Sequence, residues 1–328
     1  MKNFIGAFEP SSIEFCSMQY DEAKKYAQND KWLDHLSVIK PIIVIYHQYC
    51  KKNRVARCLC RGAWSHIALK DYHNADAWLS VALEEDKEEA LAGIYWAIEY
   101  SKRFGIVEQS YTKKWSETFQ KQVKTFLEDK GVESLEGLNF ADLTIAFYEF
   151  LSRKKSASQS DIARYHELQA RHTKQTSEEK IASFTTAARH YSIGKLKKYE
   201  NFCHLCAGLE SLRCAKEKKV EEAAKQINTF IEKSLPLSCN SKLDRTSSNV
   251  LNAICDLNII CQQETPKERL SQDLIDTLLD NPVLSKDGVS TANSLLNHLH
   301  HNVPDPRIVT EHIFDLLTDF YASILRIY

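Results

Sequence analysis

Apolar side chains recur in this chain at helical spacing almost from end to end, and the pattern predicts helices throughout. It is clearest around residues 55–87. Val55, Cys58, Leu59, Gly62, Ala63 and His66 fall at i, i+3, i+4, i+7 intervals on one face of a helix ending near Lys70. Ala75, Trp78, Leu79, Ala82 and Leu83 repeat the period after a tight turn at Asp71–Tyr72. Asn74 is the expected N-cap of that second helix. Gly62, Ala63, Ala75 and Ala82 stand where the two helices would touch. A glycine inside a helix costs about 1 kcal/mol relative to alanine, and Gly62 therefore marks a close helix approach.

The same reading extends in both directions. Ser11 to Asn29 forms a first helix, and Asp30 is expected to cap a second that starts near Lys31 and Trp32. Pro41 inside that helix implies a kink or a restart. The run Ile42–Tyr46 reads as buried helix rather than strand, because no partner strand is evident. Further helices cover Glu88–Arg103, with Gly93 as a small contact residue, Ser110–Glu128, stopped by Gly131, and Asn139–Arg153. The polar run Arg153–Ser160 reads as a linker, with Ser160 capping the helix that follows. Then come Asp161–Thr176 and a helix from Ser177 to Gly194. A second hairpin spans Glu200–Leu235, turning at Lys216–Lys219 and closed by Pro236. Ser238–Arg245 is another polar break. Helices at 250–261, from Pro266, at 288–302 and at 306–328 complete the chain, the last expected to cover the end of the stack. The breaks define three regions, 1–153, 160–236 and 243–328.

With Leu59, Gly62–Ala63, His66, Ala75, Leu79, Ala82 and Lys87 in its slots, the first hairpin resembles a tetratricopeptide repeat, a family with a period of about 34 residues. His66 replaces the usual aromatic residue and Lys87 the usual proline. Residues 200–236 resemble a second copy, with Glu210 where an apolar residue belongs. The resemblance implies an all-α fold of about fifteen helices, stacked as antiparallel pairs in a right-handed superhelix. It also implies a concave groove lined by the first helix of each pair, here presenting Arg57, Arg61, Trp64, Ser65 and Ala68 to a protein or peptide partner. Arginine and tryptophan are common anchors of such surfaces. On this reading the chain is a non-catalytic scaffold or adaptor with no cofactor; a regulator that senses a peptide is a variant of it.

Charge bears on the class of partner. The 328 residues carry 43 basic and 44 acidic side chains, a net charge of -1, which argues against nucleic acid as the main partner. Only 9 Gly and 7 Pro interrupt the helices. No apolar run approaches the ~18 residues of a membrane span. The first residues lack the apolar core of a signal peptide. Ten scattered cysteines, several on apolar faces, then read as small hydrophobes in a reducing cytoplasm. A protein exported by a dedicated machine would share these features.

Three patterns suggest chemistry. Cys203, Cys206 and Cys214 have the residue types of a zinc site, but no second closely spaced pair supplies four ligands; Cys58 and Cys60 read the same way. His166 and His172 are too far apart to share a face as zinc-peptidase histidines do, since Ala170 occupies the required position. His298, His300, His301, His312, Asp315 and Asp319 form the richest cluster, and a helical metal-dependent enzyme built on it is the rival reading. Basic clusters at 51–61, 153–155, 195–198 and 216–219 fall mostly at helix ends, where they complement the C-terminal helix dipole; binding of an anionic peptide or nucleic acid is the alternative role.

Overall fold

A computed structural model describes residues 11–104, 109–214, 220–238, 241–263, 266–301 and 305–327. Among them the chain is all helical, with fifteen helices and the single-turn segment Pro266–Arg269, and it has no strand. No described helix is long and apolar enough to cross a membrane. The chain divides into two compact units, Met1–Thr144 and Ile145–Tyr328.

The first unit contains α1 (Ser11–Gln28), α2 (Trp32–Gln48), α3 (Lys52–Ala68), α4 (Tyr72–Glu85), α5 (Lys87–Phe104), α6 (Gln109–Asp129) and the start of α7 (Phe140–Ser152). Each of α1 to α5 packs on the next, and α3 also packs on α5. One turn is used three times. Asp30, Cys50 and Lys70 adopt φ of 57°, 54° and 60°. The next N–H then closes back onto the last helical turn, from Lys31 to Tyr26 O, from Lys51 to Tyr46 O and from Asp71 to His66 O, at 2.8–2.9 Å. This is the Schellman stop, built here on residues that carry a Cβ at positive φ. Asp30 therefore ends α1 and does not cap α2, whose cap position Lys31 makes no side-chain bond. Asp71, not Asn74, caps α4, and it accepts from the Asn74 backbone N–H.

Pro41 lies within a continuous α2, and Ile42–Tyr46 is helical. Gly62 meets the Trp78 indole so closely that a Cβ would lie 1.9 Å from the ring. A Cβ on Gly93 would lie 2.4 Å from that of Cys60. These two glycines let α4 and α5 approach α3. Gly131, at φ 77°, ends α6. Tyr95, Phe119 and Phe140 then pack with centroids 5.3–6.3 Å apart.

The second unit holds α8 (Gln159–His172), α9 (Ser177–Ile193), α10 (Lys197–Cys214), α11 (Val220–Ser238), α12 (Arg245–Cys261), α13 (Pro266–Arg269), α14 (Gln272–Leu279), α15 (Lys286–His301) and α16 (Pro306–Ile327). Capping boxes start α8 and α9, on Ser158 with Asp161 and on Thr176 with Glu179, so Ser158 takes the role expected of Ser160. Pro236 lies inside α11 and does not close it. The expected turn at 216–219 lies outside the described residues. Helix α16 is the expected covering helix. It packs against α10, α11, α12 and α15, and Ile313, Leu316, Leu317, Phe320 and Ile324 are buried. The expected polar break at 238–245 differs, because Ser241, Lys242 and Leu243 are buried.

Candidate functional site

The residues expected in the groove separate into three situations. Ser65 leaves the site: it is fully buried, and its hydroxyl lies 2.6 Å from Nδ1 of the buried His35 on α2. Its place on the helix put it in the apolar stripe, one position from His66. Arg57 is exposed and makes a bidentate pair with Glu89, Nε donating at 3.0 Å. It ties α3 to α5. Arg61 and Trp64 remain half-buried at the surface, with the Arg61 guanidinium 5.1 Å from the Trp64 ring centroid. Trp64 Nε1 donates to the Gly93 carbonyl at 3.2 Å.

Sequence reasoning missed the extension of this pair onto α1. Arg61 also lies 5.6 Å from the Tyr20 ring, and Lys24 lies over the same ring at 4.9 Å. Lys24, Tyr20, Arg61 and Trp64 thus form a row of alternating cations and rings across α1 and α3 that ends at the backbone of α5. A ring face orders a cation without neutralising it; of the two cations in the row, Lys24 is also paired with Asp21 at 2.7 Å. His66 is buried on α3. It packs edge-on against Trp78 at 5.1 Å, while its Nδ1 lies 2.9 Å from Asp71.

In the second unit the most heavily charged place is closed. Glu167 on α8 is fully buried. Oε1 accepts from Arg164 at 2.8 Å, Lys242 at 3.3 Å and Arg171 at 3.4 Å, and Oε2 accepts from the Tyr191 hydroxyl at 2.7 Å. Burial alone would raise its pKa. The three cations and the hydroxyl outweigh that and hold the carboxyl well below the usual carboxylate range. Arg171 also reaches the Leu325 carbonyl at 3.4 Å, in the last turn of α16. The network joins α8, α9, the 241–243 segment and α16. It is a structural tie, because none of its charged atoms is offered to solvent.

The other sequence patterns resolve into packing. Cys203 and Cys206 are fully buried, and burial raises both thiols. Cys58 is buried beside α1, with its thiol pushed up to about 12. Asp319 accepts from Ser285 N at 2.9 Å and Ser285 Oγ at 2.6 Å, which caps α15. His312 Nδ1 lies 2.7 Å from the Ile308 carbonyl. These two members of the histidine-rich cluster are thus engaged in local structure, and the described residues bring no three metal-ligating side chains together. Half-buried His166 stacks on His190 across α8 and α9 at 6.3 Å. No protein-family model, curated protein or solved structure matches the chain.

Proposed function

We propose that the first unit is a recognition module, and that the chain works as a non-catalytic scaffold or adaptor that captures a protein or peptide segment across α1 and α3. The row Lys24–Tyr20–Arg61–Trp64 is the observation that carries this reading. It combines ordered cations with large rings, the side-chain types that contribute most to protein interfaces. A tetratricopeptide-like, right-handed stacking of the helix pairs is part of the proposal. Support comes from the contact of α3 with α5 and from Gly62 and Gly93 at the close approaches. The spacing is looser than that family's, since α2 and α4 start forty residues apart, at Trp32 and Tyr72, and α3 and α5 start thirty-five apart, at Lys52 and Lys87. The cysteines of the described residues are all free, which agrees with a reducing compartment such as the cytoplasm.

Arg61→Glu tests the reading better than a change at Arg57, whose loss would also cut the tie to Glu89. Full-length wild type and variant are compared in affinity capture from a native extract. A photo-crosslinking side chain at Ala68 maps the contact, and far-ultraviolet circular dichroism confirms folding. A partner crosslinked to α3 and lost in the folded variant is the expected result. Capture that is equal in both proteins removes the α1–α3 face from the site.

A further inference from the structure

Beside the row of rings, the first unit contains a cavity of about 240 Å³ between α1, α2 and the first turns of α3. It is below the usual volume of a small-molecule pocket and large enough for one functional group. Lys24, Arg54 and Arg57 converge there with the hydroxyl-bearing Ser17, Tyr20 and Tyr46, and Asp21 is the single carboxylate of the lining.

The three cations are not equivalent. Lys24 pairs with Asp21 at 2.7 Å, and Arg57 is committed to Glu89. Arg54 has no carboxylate within ion-pair distance among the described residues. Its guanidinium lies 5.3 Å from the Tyr46 ring, and Nη1 approaches the Tyr46 hydroxyl at a long 3.4 Å. A guanidinium carries five donors in a fixed fork, so most of this one's capacity is open to an acceptor. The wall of the cavity also senses a positive field. Burial raises the Cys58 thiol, and the charged side chains that oppose the rise are Arg61, Arg57 and Arg54. Arg54 acts in the same direction on Cys16, against a rise caused by burial. Donor-bearing side chains and positive charge thus line one small space.

We infer that this cavity is an oxyanion pocket centred on Arg54, which receives an anionic side chain of the captured partner, a carboxylate or a phosphate monoester. The inference rests on the recognition reading above and gives the partner a chemistry. Arg54 supplies the fork, the hydroxyls of Tyr46 and Tyr20 are the neutral donors on the same lining, and the Lys24–Asp21 pair borders it. A charge-assisted pair of this kind fixes register as well as strength. The neighbouring rings then contact the residues that flank the anion.

The test uses the full chain and three probes: inorganic phosphate, a short phosphoserine peptide and the same peptide with glutamate in its place. Titration calorimetry reads binding at low salt. In parallel, phenylglyoxal modification of Arg54 is followed by peptide mapping. Saturable binding of at least one probe is expected, with Arg54 protected from modification and affinity reduced at least tenfold in Arg54→Gln. A phosphoserine peptide that binds well above the glutamate peptide assigns the phosphate source, and the reverse order assigns the carboxylate. Absence of saturable binding by all three probes overturns the pocket, and so does binding that folded Arg54→Gln leaves unchanged. The two proposals fail separately. A partner that still crosslinks to Ala68 in Arg54→Gln keeps the recognition face and removes the pocket. Probe binding at Arg54 together with capture that ignores Arg61→Glu keeps the pocket and removes the face.

Discussion

Acidification from pH 7 to pH 4.5 is expected to cost the first unit about 2.5 kcal/mol through His35 alone. The imidazole is buried on α2, with Nδ1 against Ser65 Oγ at 2.6 Å and Nε2 without a partner among the described residues. Burial first, then the nearby positive charge of Arg61, lowers its pKa from 6.5 to about 4. The folded state thus holds His35 neutral to much lower pH than the unfolded chain does. The stability this confers is fully present above pH 6.5, declines as the unfolded chain takes up its proton below that value, and is gone below about pH 4. A shift of roughly 2.5 units corresponds to about 3.4 kcal/mol at the acid end, at 1.36 kcal/mol per unit. All five tryptophans, at positions 32, 64, 78, 96 and 115, fall in the first unit, so urea unfolding followed by tryptophan fluorescence reports on it selectively. His35→Gln keeps an amide donor for Ser65 and removes the titration. Wild type is expected to lose about 2.5 kcal/mol more than the variant between the two pH values. Parallel losses in the two proteins would refute the argument, because they would mean that His35 titrates alike in the folded and unfolded chain.

Two further outcomes test the packing. Glu167→Gln removes the carboxylate that Arg164, Arg171 and Lys242 share in the interior, and should destabilise the second unit by about 3–5 kcal/mol. That corresponds to a drop of roughly 10 °C in the thermal transition seen by circular dichroism, and a change below about 2 °C would show that the network contributes little. Gly93→Ala places a Cβ against Cys60 and should cost the first unit about 1–3 kcal/mol by overpacking, read from the urea midpoint of tryptophan fluorescence; an unchanged midpoint would mean that α3 and α5 have room to separate.

The helices were legible because their apolar periods are long and few residues break them, and the two glycines that mark close approaches were legible because a glycine inside a helix is costly. Helix starts were read less well. Asp30, Asn74 and Ser160 are all good capping residues by type, yet Asp30 stops α1 instead of capping α2, and the caps of α4 and α8 are Asp71 and Ser158. In the Schellman turns of the first unit, backbone geometry sets the boundary: Cys50 and Lys70 adopt positive φ although neither is a residue that favours it. The site was half legible. Arg61 and Trp64 share a face of α3 and could be placed together, whereas their contact with Tyr20 depends on which helix lies alongside. Lys242 was hidden for the same reason. Its partner Glu167 is 75 positions away, and a lysine between a polar run and an aspartate looks like surface until the fold brings α8 beneath it. The one available signal was on α8 itself, where Arg164, Glu167 and Arg171 occupy the face that Ala163, Leu168 and Ala170 mark as buried.

The two units hold their cations differently. Taking an ion out of water costs several kcal/mol, which a buried carboxylate with good geometry can offset. In the second unit Arg164, Arg171 and Lys242 are spent in this way around Glu167, and their charge serves the fold. In the first unit Arg54 lies against the buried Tyr46 and Arg61 against Tyr20 and Trp64, while Lys24, over Tyr20, is paired with Asp21. A ring face orders a cation for about 0.5–1 kcal/mol at an exposed site and leaves its N–H groups able to meet an acceptor. An arginine on an aromatic face is therefore preorganised where one in open solvent is not, so less side-chain entropy is lost when an anionic partner arrives. Replacing Tyr46 by leucine should then weaken an anion at Arg54 while leaving the charge in place, which separates preorganisation from simple attraction.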